Sequence, residues 1–138
     1  MESTYGTHLT LRIANVERCA ALDGRETLAN LLVTLVDRIG MRILAGPLVA
    51  EEQGLPERRG WSSVVILYES HAAVHTYPEL GEAFVDIFSC KHFDIETVSD
   101  VLKEFIGSFT VVEKSVFDRG VHWGPSVTRE MGAWLSTR

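Results

Sequence analysis

Residues 61–90 read WSSVVILYESHAAVHTYPELGEAFVDIFSC. Three strand-like pieces follow one another here with no helical period between them. Residues 62–68 are an apolar run suited to a buried strand, and residues 71–76 continue as another after a sharp turn. Pro78 and Gly81 then punctuate the chain. From Ala83 to Cys90, Phe84, Asp86, Phe88 and Cys90 alternate with Ala83, Val85, Ile87 and Ser89, the period of a strand. A parallel pair needs a long crossover, so strands joined this tightly must be largely antiparallel neighbours. The middle of the chain therefore predicts an antiparallel sheet.

The flanks supply the rest of the fold. His8–Ile13 alternates Leu9, Leu11 and Ile13 with Thr10 and Arg12, a half-buried strand. Asp23 with Glu26 three residues later makes a capping-box pattern. Leu28, Leu31, Leu32, Leu35, Val36 and Ile39 follow at helical spacing up to Gly40, which predicts a helix over residues 24–39. Met41–Val49 reads as a strand, and residues 50–60, broken by Gly54, Pro56 and Gly60, as a surface loop. A second helix is expected after a cap at Asp94, with Val98, Val101, Leu102, Phe105 and Ile106 on one face and Gly107 as its stop. Phe109–Phe117 is a last strand with half-alternation, and the tail from Gly120, with Trp123, Pro125 and Trp134, is left to pack locally or against a partner chain. The order β-α-β-β-β-β-α-β implies an α+β two-layer sandwich: a mainly antiparallel sheet with two helices on one face. One domain over residues 1–138 is expected from the length.

Bulk properties narrow the function classes. The composition, 46% hydrophobic and 23% charged, is that of an ordinary globular domain. A net charge of −6 without a basic patch argues against nucleic acid. No apolar run approaches the ~20 residues that span a bilayer. The first residues lack a basic region followed by an apolar stretch, so no signal peptide is read and a cytoplasmic protein is expected. Cys19 and Cys90 do not make a secreted disulfide framework and are expected to be reduced.

The chemistry concentrates at Glu69-Ser70-His71 and His75, directly after the apolar run. Three readings fit the residues. His71, His75, Cys90 and His92 could ligate zinc, although no tight Cys-x-x-Cys pair is present. Cys90 could be a nucleophile activated by His75. Or the histidines are simply satisfied polar residues at a sheet edge. The residue types alone leave all three open.

The stretch Ser62–Cys90 also resembles the pyruvoyl-dependent S-adenosylmethionine decarboxylases of the short bacterial and archaeal type. That family's pattern is a Val-Ser-Gly-Val-Val run, then Glu-Ser-His, His-Thr-Trp-Pro-Glu and Asp-hydrophobic-Phe-Thr-Cys. This chain has Trp61-Ser62-Ser63-Val64-Val65, Glu69-Ser70-His71, His75-Thr76-Tyr77-Pro78-Glu79 and Asp86-Ile87-Phe88-Ser89-Cys90. The steps of five from Ser70 to His75 and twenty from Ser70 to Cys90 are kept. Gly6-Thr7-His8-Leu9 resembles the family's opening Gly-x-His-hydrophobic strand, and the likeness runs to about residue 117.

The resemblance implies a proenzyme that cuts itself. Ser70 would attack the Glu69 carbonyl, and β-elimination would leave a β chain, residues 1–69, and an α chain, residues 70–138, headed by a pyruvoyl group derived from Ser70. Ser62 would stabilise the intermediate and His75 would take the α-proton of Ser70. The pyruvoyl cofactor would form a Schiff base with the substrate amine and act as electron sink, as pyridoxal phosphate does elsewhere. Cys90 would be the acid that reprotonates the product carbon. Glu79 would contact the ribose, with Tyr77 at the substrate side where the family has Trp. The partners implied are a small cationic amino-acid-type substrate and a second copy, in a homodimer of processed protomers.

Two departures bear on the substrate. The family's aromatic residue upstream of the processing serine is missing from Gly54–Gly60, and Lys91 replaces the Gly after the cysteine. Because Glu79 persists, S-adenosylmethionine and polyamine (spermidine) synthesis are the first expectation. Arginine or ornithine, decarboxylated by the same chemistry, is the alternative. An unprocessed, non-catalytic homologue acting as a binding partner is the second.

Overall fold

The elements occur in the expected order, with two short 3₁₀ helices, Cys19–Leu22 and Pro56–Arg58, added between them. In this computed structural model residues 6–119 are described, together with Arg129 and Ser136. The expectations for Trp123, Pro125 and Trp134 lie outside the described residues. Strand β1 spans Gly6–Ala14, helix α1 Arg25–Arg38, β2 Ile43–Glu52, β3 Gly60–Leu67, β4 Ser70–Tyr77, β5 Glu82–Ser89, α2 Ile95–Ile106 and β6 Thr110–Arg119.

The strands form one six-stranded sheet in the order β2-β3-β4-β5-β1-β6, and the pairings are antiparallel throughout. β3, β4 and β5 make the meander that residues 61–90 predict. β1 returns from the N-terminus to lie between β5 and β6. Registers Ser62↔His75 and Leu67↔Ser70 fix β3 on β4, and Ser70↔Ser89 fixes β4 on β5.

Both helices bury their apolar stripes on the same sheet face. Leu28, Leu31, Leu32, Leu35 and Val36 of α1 and Val98, Val101, Leu102 and Ile106 of α2 are buried. They pack with Leu9, Leu11 and Ile13, Val65 and Leu67, Ala72 and Val74, and Ala83, Val85 and Ile87 of the sheet. Each fully buried Leu or Val is worth roughly 1.5–3 kcal/mol of transfer free energy, so this layer is the main source of stability.

Three expectations are corrected. The apolar run of β3 is not buried throughout: Val65 and Leu67 are, but Val64 and Ile66 are 40% and 51% exposed. Among the described residues α1 and α2 cover only one face, and alternation sends every second residue to the other. Asp23 does not cap α1. The N-cap is Gly24, with no side-chain cap, because the Asp23 carboxylate accepts from Arg59 and from Trp61 Nε1 instead. β6 is exposed on both sides rather than half-buried, since it is an edge strand beyond the helix layer. Asp94 does cap α2, accepting from the Glu96 N–H, and Gly107 ends the helix at φ 75°. The uncovered sheet face carries Val64, Ile66, Phe84 and Phe117, all exposed. Among the described residues, no helix is long and apolar enough to cross a membrane.

Candidate active site

The expected site residues fall into two groups at different places on the sheet. The first group is the β3–β4 hairpin end with the end of β5. Leu67 pairs with Ser70, so Tyr68 and Glu69 form the two-residue turn. Among described non-glycine residues a positive φ occurs at Asn15 and Ser70, not at Tyr68 or Glu69. The turn therefore avoids the primed types that suit a hairpin's twist, and the unusual dihedral, 150°, falls on Ser70. Such a conformation costs a non-glycine residue about 1–3 kcal/mol and persists only when its surroundings enforce it.

The surroundings do enforce it. The Glu69 carbonyl accepts the Cys90 backbone N–H at 2.8 Å. The Glu69 carboxylate is 3% exposed and accepts the Arg42 backbone N–H at 3.0 Å and Arg42 Nε–H at 3.3 Å. Tyr68 N–H donates to the Arg42 carbonyl at 3.0 Å, and the Arg42 guanidinium lies 5.0 Å from the Tyr68 ring centre. Burial pushes the Cys90 thiol up, and the nearby Glu69 carboxylate acts in the same direction. A thiol so placed keeps its proton at neutral pH, which suits an acid rather than a nucleophile. A Cβ at Gly6 would press into the Ser89 carbonyl and lie 2.7 Å from Cys90 Cα, so the opening Gly-x-His lets β1 close against this end of β5.

The second group lies on the open face. Ser62 and His75 are register partners, and Ser62 Oγ is 2.8 Å from His75 Nδ1. Beside them is a cleft of about 440 Å³ lined by Leu55, Arg58, Gly60, Trp61, Ser62 and Tyr77, among others. Trp61 and Tyr77 give this cleft the aromatic surface that Gly54–Gly60 does not supply. Tyr77 meets the Phe84 ring edge-on at 6.1 Å. Glu79 is tied to Arg59 at 3.2 Å, and Arg59 also grips Asp23 through two nitrogens, at 2.8 and 2.7 Å. The hydrogen bonds from Arg59 and Trp61 hold the Asp23 carboxyl down at about 2.

The two groups do not meet within one chain. His75 is five residues along β4 from Ser70, about 17 Å at the ~3.4 Å rise of an antiparallel strand. They also sit in opposite rows: Ser70 pairs with the helix-side residues Leu67 and Ser89, and His75 is exposed on the open face. The placement of His75 beside Ser70 of the same chain, which the role implied by the resemblance would need, is not found. Cys90 is six residues beyond Phe84, the register partner of His75, about 20 Å at the same rise, so no thiol–imidazole pair forms. His71 and His75 share the open face as expected, but four strand residues put them about 14 Å apart, too far to share a metal ion. Among the described residues no group of three His, Cys, Asp or Glu side chains is arranged to hold a metal ion, and Cys19 and Cys90 are both free.

Sequence reasoning missed three features. Arg42 carried no signal, because its partner is 27 residues away in the chain. Trp61 entered only as part of a motif. Asp86 collects two histidines on the open face, His8 Nε2 at 2.7 Å and His71 Nε2 at 3.7 Å. His92, a candidate ligand, is instead 2.8 Å from Thr7 Oγ1 through its Nδ1.

Comparison with known proteins points one way. A family described as S-adenosylmethionine decarboxylase matches residues 8–120. The S-adenosylmethionine decarboxylase proenzyme of Geobacillus kaustophilus is 42% identical over 52 residues, which is 38% of this chain and only 42% of that protein. The proenzyme of Methanococcus vannielii is 31% identical over 102 residues, 73% of this chain and 79% of that one. The adenosylmethionine decarboxylase of Aquifex aeolicus has a crystal structure similar to this fold, with a TM-score of 0.66 at 26% identity, covering 86% of this chain and 92% of that one.

Proposed function

The chain belongs to the S-adenosylmethionine decarboxylase family, and from that membership we propose that it is a self-cleaving proenzyme whose mature form decarboxylates S-adenosylmethionine for polyamine (spermidine) synthesis. The observation that carries this reading is the Glu69–Ser70 linkage: its carbonyl is polarised by the Cys90 N–H, its carboxylate is locked, and its hydroxyl residue is held at a φ of 150°.

Cleavage follows from those groups. Ser70 Oγ attacks the Glu69 carbonyl carbon, the C–N bond breaks, and the hydroxyl proton passes to nitrogen, so an ester replaces the amide. The oxygen that gains charge on the way faces the Cys90 amide. A base then takes the Ser70 Cα proton, the Cβ–O bond breaks, and Glu69 leaves as a carboxylate. The resulting enamine tautomerises, and water hydrolyses it with loss of ammonia, leaving a pyruvoyl group at the head of residues 70–138.

The residues present fit that group, since a serine stands at the strand start with a protonated thiol on the next strand. Its keto carbon supplies the electron sink that an amino-acid carbanion needs and that no ordinary side chain provides. Cys90, its thiol pushed up by burial, is the proton donor to the product carbon. Trp61 and Tyr77 lie with Ser62–His75, so it is a second copy's pair that would offer flat surfaces for the adenine, with that copy's Glu79, steadied by Arg59, for the ribose.

The base for Ser70 comes from a second copy. His75 with Ser62 lies about 17 Å along the strand from Ser70 of the same chain, far beyond the ~3 Å of proton transfer. The open face that presents the pair also exposes Val64, Ile66, Phe84 and Phe117, an apolar surface suited to a twofold partner. A homodimer in which the open-face Ser62–His75 of one copy meets the β3–β4 hairpin end of the other would bring this base to the other's Ser70.

Intact-mass measurement tests the processing. Two chains of 69 residues each are expected, one blocked by the pyruvoyl group. A chain that stays whole on incubation would instead support a non-catalytic homologue. Carbon dioxide release from S-adenosylmethionine, arginine and ornithine, assayed side by side, tests the substrate. Release from either of the last two alone overturns the choice of S-adenosylmethionine.

A further inference from the structure

Arg42 plays no part in the chemistry just described, yet it holds the turn to be cut through its backbone and its side chain alike. Its backbone N–H and its Nε–H both donate to the Glu69 carboxylate, its carbonyl accepts the Tyr68 N–H, and its guanidinium lies over the Tyr68 ring. Glu69 is thus held at both ends: the carboxylate by Arg42, the carbonyl by Cys90 N–H. We propose that Arg42 is a positioning residue for self-cleavage, clamping Glu69 so that its carbonyl carbon stays within reach of the Ser70 hydroxyl. This inference rests on the self-cleavage reading.

The attacking oxygen belongs to the residue after the carbonyl, so the ring that closes contains only Oγ, Cβ, Cα, N and C. Within so small a ring, the approach is set by the backbone torsions around the Glu69–Ser70 bond. Ser70 occupies an unfavourable φ of 150° there, and such a residue relaxes when its neighbours are released. Glu69 loosens if its carboxylate loses this counter-charge, because the remaining Arg42 backbone N–H alone does not compensate a carboxylate 3% exposed. It would turn toward water and carry the carbonyl off the Cys90 amide. Arg42 is itself half exposed, 46% in its side chain, so a small cation from solution can reach its place.

The test follows cutting of the full chain by intact mass, with hydroxylamine added in parallel to intercept the ester. Arg42→Ala is expected to cut at least tenfold more slowly than the unchanged chain and to yield less hydroxylamine product. Millimolar guanidinium should restore a substantial part of the rate. Arg42→Lys, which keeps the charge and loses the Nε–H, should fall between the two. Melting of Ser70→Ala with and without Arg42→Ala reports folding separately, and a shift of a few degrees at most is expected. Cutting of Arg42→Ala within twofold of the unchanged chain would overturn the inference. So would slow cutting that neither guanidinium nor Arg42→Lys improves, which is the signature of a merely structural contact. Should Arg42→Ala not fold, Arg42→Lys cutting as fast as the unchanged chain would overturn it. An unchanged chain that never cuts would sink the self-cleavage reading itself, and this inference with it.

Discussion

The strand geometry makes a demanding prediction about who cuts whom. His75 and Ser70 lie five residues apart on one straight strand, about 17 Å, whereas a general base works within ~3 Å. Cleavage that uses His75 must therefore run between copies. His75→Ala alone should slow cutting by about 10²–10⁴, the usual contribution of a positioned base. Ser70→Ala alone cannot cut at all. When the two variants are co-expressed with tags that distinguish them, a mixed dimer holds one competent site: Ser70 of the His75→Ala chain beside His75 of the Ser70→Ala chain. With random pairing about half of the His75→Ala chains sit in mixed dimers, so about half of them should be cut, and none of the Ser70→Ala chains. Intact mass resolves the products. A mixed dimer that is demonstrably formed and stays whole would refute the reasoning. So would His75→Ala cutting at the unchanged rate, since then His75 is not the base.

Three further outcomes are expected. Gly6→Ala in the uncut Ser70→Ala chain should lower the melting temperature by roughly 3–10 °C, because its Cβ would overlap the Ser89–Cys90 backbone and such overpacking costs about 1–3 kcal/mol; differential scanning calorimetry reads it. In the mature enzyme, decarboxylation should stay constant through neutral pH and fall only as pH rises past the ordinary thiol range, because Cys90 is titrated late and acts in its protonated form; Cys90→Ser should remove that alkaline fall along with most of the rate. Asp23→Asn should lower stability modestly at pH 7, by under ~1 kcal/mol for a half-exposed ion pair. That difference is fully present above the ordinary carboxyl value of 3.8 and vanishes as pH falls through about 2, since the folded carboxyl is the depressed one; urea unfolding at a series of pH values measures it.

The fold was legible in the sequence wherever one period dominated. The 3.6-residue stripes of Leu28–Val36 and Val98–Ile106 meet the sheet as read, and so do the alternations of β1 and β5. Errors arose where a local pattern met a distant partner. Asp23 and Glu26 look like a capping box until Arg59 and Trp61, more than thirty residues on, take the carboxylate. Val64 and Ile66 look like core because an uncovered apolar face has the same composition as a covered one. The site behaved likewise. The Glu69-Ser70 and Cys90 spacing survives because the hairpin and the next strand bring their ends together. The step from Ser70 to His75 misleads because a spacing of five says nothing of distance until the strand is known: about 7 Å on a helix, about 17 Å here. Arg42 could not be found from local pattern at all, since no motif links it to Glu69.

Cutting between Glu69 and Ser70 would divide the elements as β1, α1, β2 and β3 on one side and β4, β5, α2 and β6 on the other. The sheet order β2-β3-β4-β5-β1-β6 interleaves the two sets. Three strand ladders, β3 with β4, β5 with β1 and β1 with β6, then run between the two chains. Both chains also contribute a helix to the one buried layer. The cut falls at the end of a two-residue turn, beyond which the register pairs from Ile66↔His71 to Trp61↔Thr76 hold β3 on β4. Neither chain leaves the sheet unless all three of these ladders are broken, so separation requires unfolding. That is the structural reason a hairpin in the middle of the sheet can be spent on making a reactive group. The insertion of β1 between β5 and β6, which contributes nothing to the chemistry directly, is what ties the two products together. The cut chains should therefore travel as one species on a native column and part only in denaturant; two species separating under native conditions would contradict the interleaved topology.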